Sequence, residues 1–176
     1  GMRRVKMVGP QGTFESDPAG DYKVRVPYGW SGTITPQLAG YQFDPPFKKY
    51  DNVTENFYSN ENYYPEKKMY TISGLVTSME GPVEGANIRL GGLGGLTYPT
   101  DSQGRYSLEM AHGESGKLTV DKPGYEFAAY SIDIPPVTES RQFDFTGKVR
   151  KMKIRGRLMD GDQPVSEVRL TASNGG

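Results

Sequence analysis

The feature that most constrains this chain is that it repeats itself. Asp17, Gly20 and Tyr22 recur 84 positions later as Asp101, Gly104 and Tyr106. The same shift carries Gly29 to Gly113, Gly32 to Gly116, Gly40-Tyr41 to Gly124-Tyr125, Phe43 to Phe127, and Val53-Thr54-Glu55 to Val137-Thr138-Glu139. One ungapped register held over such a span marks a repeated supersecondary unit. A second echo has a shift of 82. Lys68-Met69-Tyr70-Thr71-Ile72-Ser73-Gly74 resembles Lys151-Met152-Lys153-Ile154-Arg155-Gly156 with one residue deleted, and Pro82-Val83 matches Pro164-Val165. Ile88-Arg89-Leu90 matches Val168-Arg169-Leu170 after a further short deletion. The expected repeat is about 80 residues long. Residues 2–67 then carry the later strands of a first repeat, 68–147 a complete second one, and 148–176 the opening strands of a third.

Within each repeat the period is that of strands. Val24 and Val26, Ile34, Leu118 and Val120 alternate with polar residues, and turn residues intervene every 8–12 positions,. Glycine (23) and proline (13) are spread through the 176 residues rather than clustered, which means many turns and no low-complexity tract,. Twelve tyrosines and seven phenylalanines supply β-propensity and sandwich core,. In the middle repeat strands are expected near 69–76, 86–91, 96–99, 105–110, 116–121, 125–130 and 141–146. Asp101-Ser102-Gln103-Gly104 reads as a hairpin turn, in which Asp binds its own backbone and Gly accepts positive φ. Asp17-Pro18-Ala19-Gly20 is its counterpart, and Tyr22 and Tyr106 are both expected to be largely buried behind these turns.

These residues carry a family resemblance. Thr71-Ile72-Ser73-Gly74, Gly81-Pro82-Val83-Glu84-Gly85-Ala86, Thr100-Asp101 with Gly104 and Tyr106, and Gly124-Tyr125 resemble the carboxypeptidase regulatory-like domain. That domain is related in shape to the Cna B-type repeats of bacterial surface adhesins and to some starch-binding-like modules. The resemblance implies an all-β fold of tandem prealbumin-like (immunoglobulin-like) antiparallel sandwiches. It also implies a non-catalytic spacer, stalk or adhesion role in an exported or surface-attached bacterial protein. The residues that carry it are turn and core residues, so it speaks to fold more than to function. Cna B-type repeats often hold an internal Lys–Asn isopeptide bond. Here the final strand, Arg141-Gln142-Phe143-Asp144-Phe145, offers Asp144 and no Asn, and Lys68–Asp144 would be the only such pair.

Chemistry is otherwise sparse. Lys plus Arg (21) equals Asp plus Glu (21), so no net field draws nucleic acid or an anionic membrane,. The basic run Lys148, Arg150, Lys151, Lys153, Arg155, Arg157 alternates with Met152, Ile154 and Leu158, which is one wet and one buried face of a strand,. Cysteine is absent, which removes disulfides and thiolate metal sites, and His112 is the single histidine, placed in a turn,. No catalytic site, cofactor or metal is expected. Asp160-Gly161-Asp162 reads as a hairpin turn before a calcium loop, and Gly91-Gly92-Leu93-Gly94-Gly95 as a connection rather than a phosphate loop,. No signal peptide is legible, and Gly1 ahead of Met2 has the look of a cloning remnant,.

Two sets of residues are candidates for contact. Trp30, in Tyr28-Gly29-Trp30-Ser31-Gly32, stands where the second repeat has Glu114, so the core does not require it. An accessible indole beside Tyr28 serves a protein partner, a neighbouring module or, in the alternative reading, a sugar ring. Phe57, Tyr58, Tyr63 and Tyr64 are expected to form the last strand of repeat one and a seam. The second set is the C-terminal segment 151–172, with Met152, Ile154, Leu158, Val165, Val168 and Leu170. A lone hairpin is not stable in water, and burying its apolar residues contributes roughly 1.5–3 kcal/mol each before ordering costs. This segment is expected to complete the first repeat by strand addition, from a neighbouring chain or across a sharp bend at 59–66, giving a strand-swapped homo-oligomer.

Overall fold

Alternating side chains and turn glycines build the whole molecule from strands. The computed structural model describes residues 4–9, 12–57, 61–91 and 95–172, and no helix occurs among them. The N-terminal region contains β1 (Lys6–Gly9), β2 (Gly12–Glu15), β3 (Trp30–Gln37), β4 (Tyr41–Asp44), β5 (Lys48–Val53) and β6 (Tyr64–Lys67). The central region contains β7 (Met69–Ser78), β8 (Gly81–Pro82), β9 (Asn87–Gly91), β10 (Thr97–Pro99), β11 (Arg105–Ala111), β12 (Gly116–Asp121), β13 (Tyr125–Phe127), β14 (Ser131–Ile134), β15 (Arg141–Gln142) and β16 (Phe145–Val149). A short hairpin of β17 (Met159–Asp160) and β18 (Gln163–Pro164) follows.

The central region is a two-sheet sandwich. One sheet runs β10-β9-β12-β14, the other β11-β7-β16-β13 with β15 and β8 also on β7. Inward residues of both sheets interdigitate, as aligned sandwich packing requires. Ile72 and Val76 from β7, Ile88 and Leu90 from β9, Leu108 and Met110 from β11, and Leu118 from β12 form one buried cluster with Val83, Phe127, Val137 and Phe145. The expected strands agree with those observed, with two corrections. The strand expected over 141–146 is broken into β15 (Arg141–Gln142) and β16 (Phe145–Val149). The stretch expected as one strand over 125–130 ends at Phe127, and the chain crosses to the other sheet as β14, pairing Ile132 with Leu118. The alternation Ser131-Ile132-Asp133-Ile134 was the overlooked signal.

The N-terminal region reuses part of this order. Its sheet β2-β1-β3-β5 parallels β10-β9-β12-β14, and β4-β6 parallels β13-β16. Individual hydrogen bonds recur at the shift of 84. Asp17 N–H donates to Asp21 O at 2.8 Å and Asp101 N–H to Arg105 O at 2.9 Å. The Asp17 carboxylate accepts from Ala19 and Asp21 N–H, as that of Asp101 accepts from Gln103 and Arg105 N–H. Gly29 N–H to Val53 O (2.8 Å) matches Gly113 N–H to Val137 O (2.7 Å), and Tyr41 N–H to Leu38 O matches Tyr125 N–H to Lys122 O. Gly20 (φ 93°) and Gly104 (φ 74°) take the left-handed conformation their turns demand,. Ser16 and Thr100 are the two buried polar residues among those described, and they act alike. Each side-chain oxygen accepts a backbone N–H, from Val5 and from Ala86 respectively.

Tyr106 is buried as expected, but Tyr22 is only half-buried. The cause is visible in the sheets. Tyr106 lies on β11, which pairs with β7 along Arg105↔Leu75 to Ala111↔Met69. Residues 21–27 stand where β11 stands and alternate inward at Tyr22, Val24 and Val26, yet they form no strand.

Candidate binding groove

With no described strand in the place of β7, the interior of the N-terminal region opens as a groove of about 1000 Å³. Residues 20–28 form one wall, and β1, β3, β5 and the stretches 53–57 and 61–64 line the rest. Its floor is aromatic. Tyr22 lies between Phe14 and Tyr63 (centroids 6.4 and 5.9 Å), while Tyr50 lies between Trp30 and Phe57 (5.9 and 5.7 Å). The hydroxyls are tied down by acceptors on the chain. Tyr22 donates to Glu61 O (2.6 Å), Tyr50 to the Glu61 carboxylate (2.5 Å) and Tyr63 to Ile34 O (2.8 Å). Lys48 completes the cluster by an ion pair to Glu61 at 3.4 Å.

Burial foremost, then the Glu61 carboxylate and the neighbouring phenols, push Tyr50 above the ordinary tyrosine range. Burial likewise raises Tyr63 and Tyr22, and Tyr106 in the central region, where Asp144 adds to it,. Phenols held neutral in this way are structural posts. They keep a half-formed core in shape and offer a partner chiefly apolar ring faces.

Trp30 and Tyr28 both border this groove, but they do not make a paired flat platform. The indole lies over Gly32, where a Cβ would come within 2.2 Å of it, and packs on Tyr50. Tyr28 is 84% exposed on the preceding turn. Of the residues expected to form the last strand of repeat one and a seam, Tyr64 lies in β6, whereas Tyr63 and Phe57 precede that strand and pack on Tyr22 and Tyr50 in this cluster; Tyr58 lies outside the described residues. Tyr50 and Glu61 were not anticipated; the only sequence signal was aromatic density between 41 and 64.

The C-terminal candidates are uncovered. Residues 151–172 are exposed throughout, with Met152 at 84%, Ile154 at 99% and Leu170 at 78%; Leu158, Val165 and Val168 are less exposed but on the same free segment. Among the described residues the segment makes no strand pairing with the N-terminal region of its own chain. Gly161 (φ 59°) turns the hairpin at the Asp160-Gly161-Asp162 motif, as its glycine-first turn requires,. Lys68 and Asp144 are not neighbours. Lys68 precedes β7, whereas Asp144 accepts the N–H of Leu75 (2.8 Å) far along that strand. The loop 92–94 of the glycine-rich stretch lies outside the described residues.

His112 stands in its expected turn and marks the seam between regions. A Cβ on Gly40 would come within 2.0 Å of the imidazole, and the Tyr70 ring lies 6.0 Å away. The backbone ties are Lys68 N–H to Gly40 O (2.9 Å) and His112 N–H to Lys68 O (2.8 Å).

No family model matches the chain. Among curated proteins, chitinase ChiA of Flavobacterium johnsoniae is 29% identical over 108 residues, which make up 59% of this chain and 7% of that protein. Among solved structures, the Bacillus anthracis TIE protein aligns with 82% of this chain and 30% of its own, at 15% identity and a TM-score of 0.55. The chain is an all-β protein of immunoglobulin-like sandwich fold. GBS52, the minor pilin of Streptococcus agalactiae, aligns more loosely, at 12% identity and a TM-score of 0.41 over 84% of this chain and 73% of that one. The shaft pilin SpaA of Lactobacillus rhamnosus GG does so at 13% and 0.38 over 86% and 85%. This chain thus spans a small part of the chitinase and under a third of the TIE chain.

Proposed function

We propose that this chain is a non-catalytic, load-bearing module of an exported or cell-surface bacterial protein, built from sandwich units in tandem that space or present other parts. The recurrence of turns, hydrogen bonds and strand order at a fixed shift supports the tandem reading, with residues 2–67, 68–147 and 148–176 as its successive parts. Within it the family reading is a carboxypeptidase regulatory-like or Cna B-type repeat. The match to a short share of a long chitinase accords with a module appended to other domains.

The observation that carries the load-bearing role is how the chain passes through the central region. It enters along β7 and leaves along β16, and these strands pair in parallel, Phe145 beside Val76 and Thr146 beside Thr77. β15 adds Arg141↔Ile72 and Gln142↔Ser73 in the same sense, and Phe143 N–H donates to Ser73 O at 2.8 Å. Tension through the chain slides these strands past one another, so their hydrogen bonds must break together rather than one by one.

Single-molecule pulling tests this. With handles at Met69 and Val149 the central region should unfold in one high-force event, releasing on the order of 250 Å. With handles at Met79 and Val149, at the same end of the parallel pair, the strands unzip and the force should fall severalfold. Equal forces in both geometries would overturn the reading. So would hydrolytic activity, or a saturable Trp30 fluorescence response to glycans.

A further inference from the structure

We infer that Asp144 is a mechanical latch, whose carboxylate carries tension across a break in the parallel ladder between β7 and the strands by which the chain leaves. The inference rests on the mechanical reading above and names the side chain on which it turns. β15 ends at Gln142 and β16 starts at Phe145, so Phe143 and Asp144 interrupt the exit path, while β7 runs unbroken beside them.

The register shows what the break does. Arg141 and Gln142 lie beside Ile72 and Ser73, which sets Phe143 beside Gly74. A residue so placed in a regular parallel ladder donates its N–H to Ser73 O and accepts the N–H of Leu75. Phe143 makes the first bond, at 2.8 Å. For the second its carbonyl is turned away, inward past Gly74, where it accepts the Tyr106 hydroxyl at 2.5 Å. A Cβ on Gly74 would come within 1.8 Å of that oxygen, so the glycine is what makes room for it. Burial, and after it the Asp144 charge, raises Tyr106 above the ordinary tyrosine range, which keeps the phenol a donor,.

Leu75 N–H thereby loses its regular acceptor, and the Asp144 carboxylate takes the place of the carbonyl at 2.8 Å. Gln142 Nε2 steadies that carboxylate from across the break, donating to its two oxygens at 2.9 and 3.2 Å. A second side chain acts in a similar way at the edge of the ladder, where Ser140 Oγ accepts Thr71 N–H at 3.1 Å.

The two rungs differ in strength and in place. A hydrogen bond to a carboxylate is charge-assisted and roughly twice as strong as a neutral one. The Asp144 rung also lies inside the ladder, between the Phe143–Ser73 bond and the Phe145–Val76 pair, whereas Ser140 lies outside it. Shear loads all the rungs at once. Without the inner one, two short ladders remain, and they can fail one after the other. Asp144 is exposed, so water competes for Leu75 N–H at rest and the rung contributes little to equilibrium stability,.

Pulling variants of the full chain tests the latch. With handles at Met69 and Val149, Asp144→Ala should bring the unfolding force well down toward that of the unzipping geometry, and Ser140→Ala should lower it only slightly. Asp144→Asn keeps an acceptor oxygen and should retain most of the force. With handles at Met79 and Val149 all three variants should match wild type, because the rungs there break in sequence. Amide exchange gives a readout without force. Leu75 N–H should exchange about tenfold faster in Asp144→Ala, the effect of losing one such bond. Val76 N–H, bonded to Gly104 O at 2.7 Å on the other side of β7, should be unchanged and reports that the fold is intact.

A wild-type chain with equal forces in both geometries would overturn the mechanical reading and the latch together. A direction-dependent force that survives in Asp144→Ala would overturn the latch alone. So would a Leu75 amide that exchanges at the wild-type rate in that variant, or an Asp144→Ala chain weakened equally in both geometries.

Discussion

The N-terminal and central regions share turns, hydrogen bonds and part of their strand order, but no described strand of the N-terminal region stands in the place of β7, and the difference separates what is encoded locally from what is not. With β7 present, β11 forms a full ladder and Tyr106 is buried, in a cluster where most members are sealed from solvent. Without its counterpart, the Asp17 turn keeps every hydrogen bond of the Asp101 turn, but residues 21–27 form no strand. Met7 and Ile34 are the large apolar side chains fully buried there among the described residues. Turn chemistry survives the loss of a neighbour; burial does not.

The largest break in the comparison should come from matched core truncations. Leu118 and Ile34 occupy equivalent places on β12 and β3. Leu118→Ala should cost about 2–5 kcal/mol, since the sealed core leaves a cavity. Ile34→Ala should cost about 1–2 kcal/mol, near the transfer term alone, because the groove beside it is already open. Denaturant unfolding followed by circular dichroism and Trp30 fluorescence measures both. Equal losses would mean that the groove is closed in solution.

A smaller contrast lies in the buried hydroxyls. Thr100 accepts the Ala86 N–H (2.9 Å) and donates to Val83 O (2.6 Å), tying two buried backbone groups. Thr100→Val strands both and should cost roughly 2–3 kcal/mol. Ser16→Ala strands the half-buried Val5 N–H, which water can reach, and should cost about 1 kcal/mol,.

Alkaline pH sharpens the comparison with less force. A tyrosine whose folded pKa is raised keeps its proton after the unfolded chain has lost it, so the unfolded state then binds fewer protons and stability falls as pH rises. That loss begins near the ordinary tyrosine value of about 10. Tyr22, Tyr50 and Tyr63 are raised in the N-terminal region, and Tyr106 in the central one. The N-terminal region should therefore unfold first above that pH, with Trp30 fluorescence changing before the circular dichroism of the whole chain. Ultraviolet titration should show Tyr22, Tyr50, Tyr63 and Tyr106 ionising above the ordinary tyrosine range.

Much of this architecture was legible because its signals are short-range. Asp and Gly at fixed spacing specify a turn whatever lies beyond it, and inward alternation at Ile72, Gly74 and Val76 specifies a strand buried on one face. The groove was legible only indirectly, as strands that one repeat had and another did not. Its walls were not, because the Tyr22–Glu61 and Tyr63–Ile34 bonds join residues far apart in sequence, for which no periodicity exists to read. Trp30 shows the same limit. Its replacement by Glu114 in the sister repeat signalled that the sandwich does not need it, but not that it would fold over Gly32 and line the groove.

The smallest expected effect concerns the pair Tyr28 and His112, which the repeat makes equivalent and the fold does not. Tyr28→Ala removes a ring that is 84% exposed and should leave stability within about 0.5 kcal/mol,. His112 is wedged at the seam against Gly40 and Tyr70, with its Nδ1 buried and unpartnered among the described residues. His112→Ala removes packing and also an unsatisfied polar atom, and these oppose each other. The net stability change should stay near 1 kcal/mol. Its signature lies elsewhere: the backbone ties through Lys68 remain, but the side-chain contact between the two regions is gone. Trp30 fluorescence and whole-chain circular dichroism should then report unfolding transitions further apart in His112→Ala than in Tyr28→Ala. If the two variants separate the transitions equally, the seam is held by the backbone ties through Lys68 between β6 and β7 and not by the imidazole.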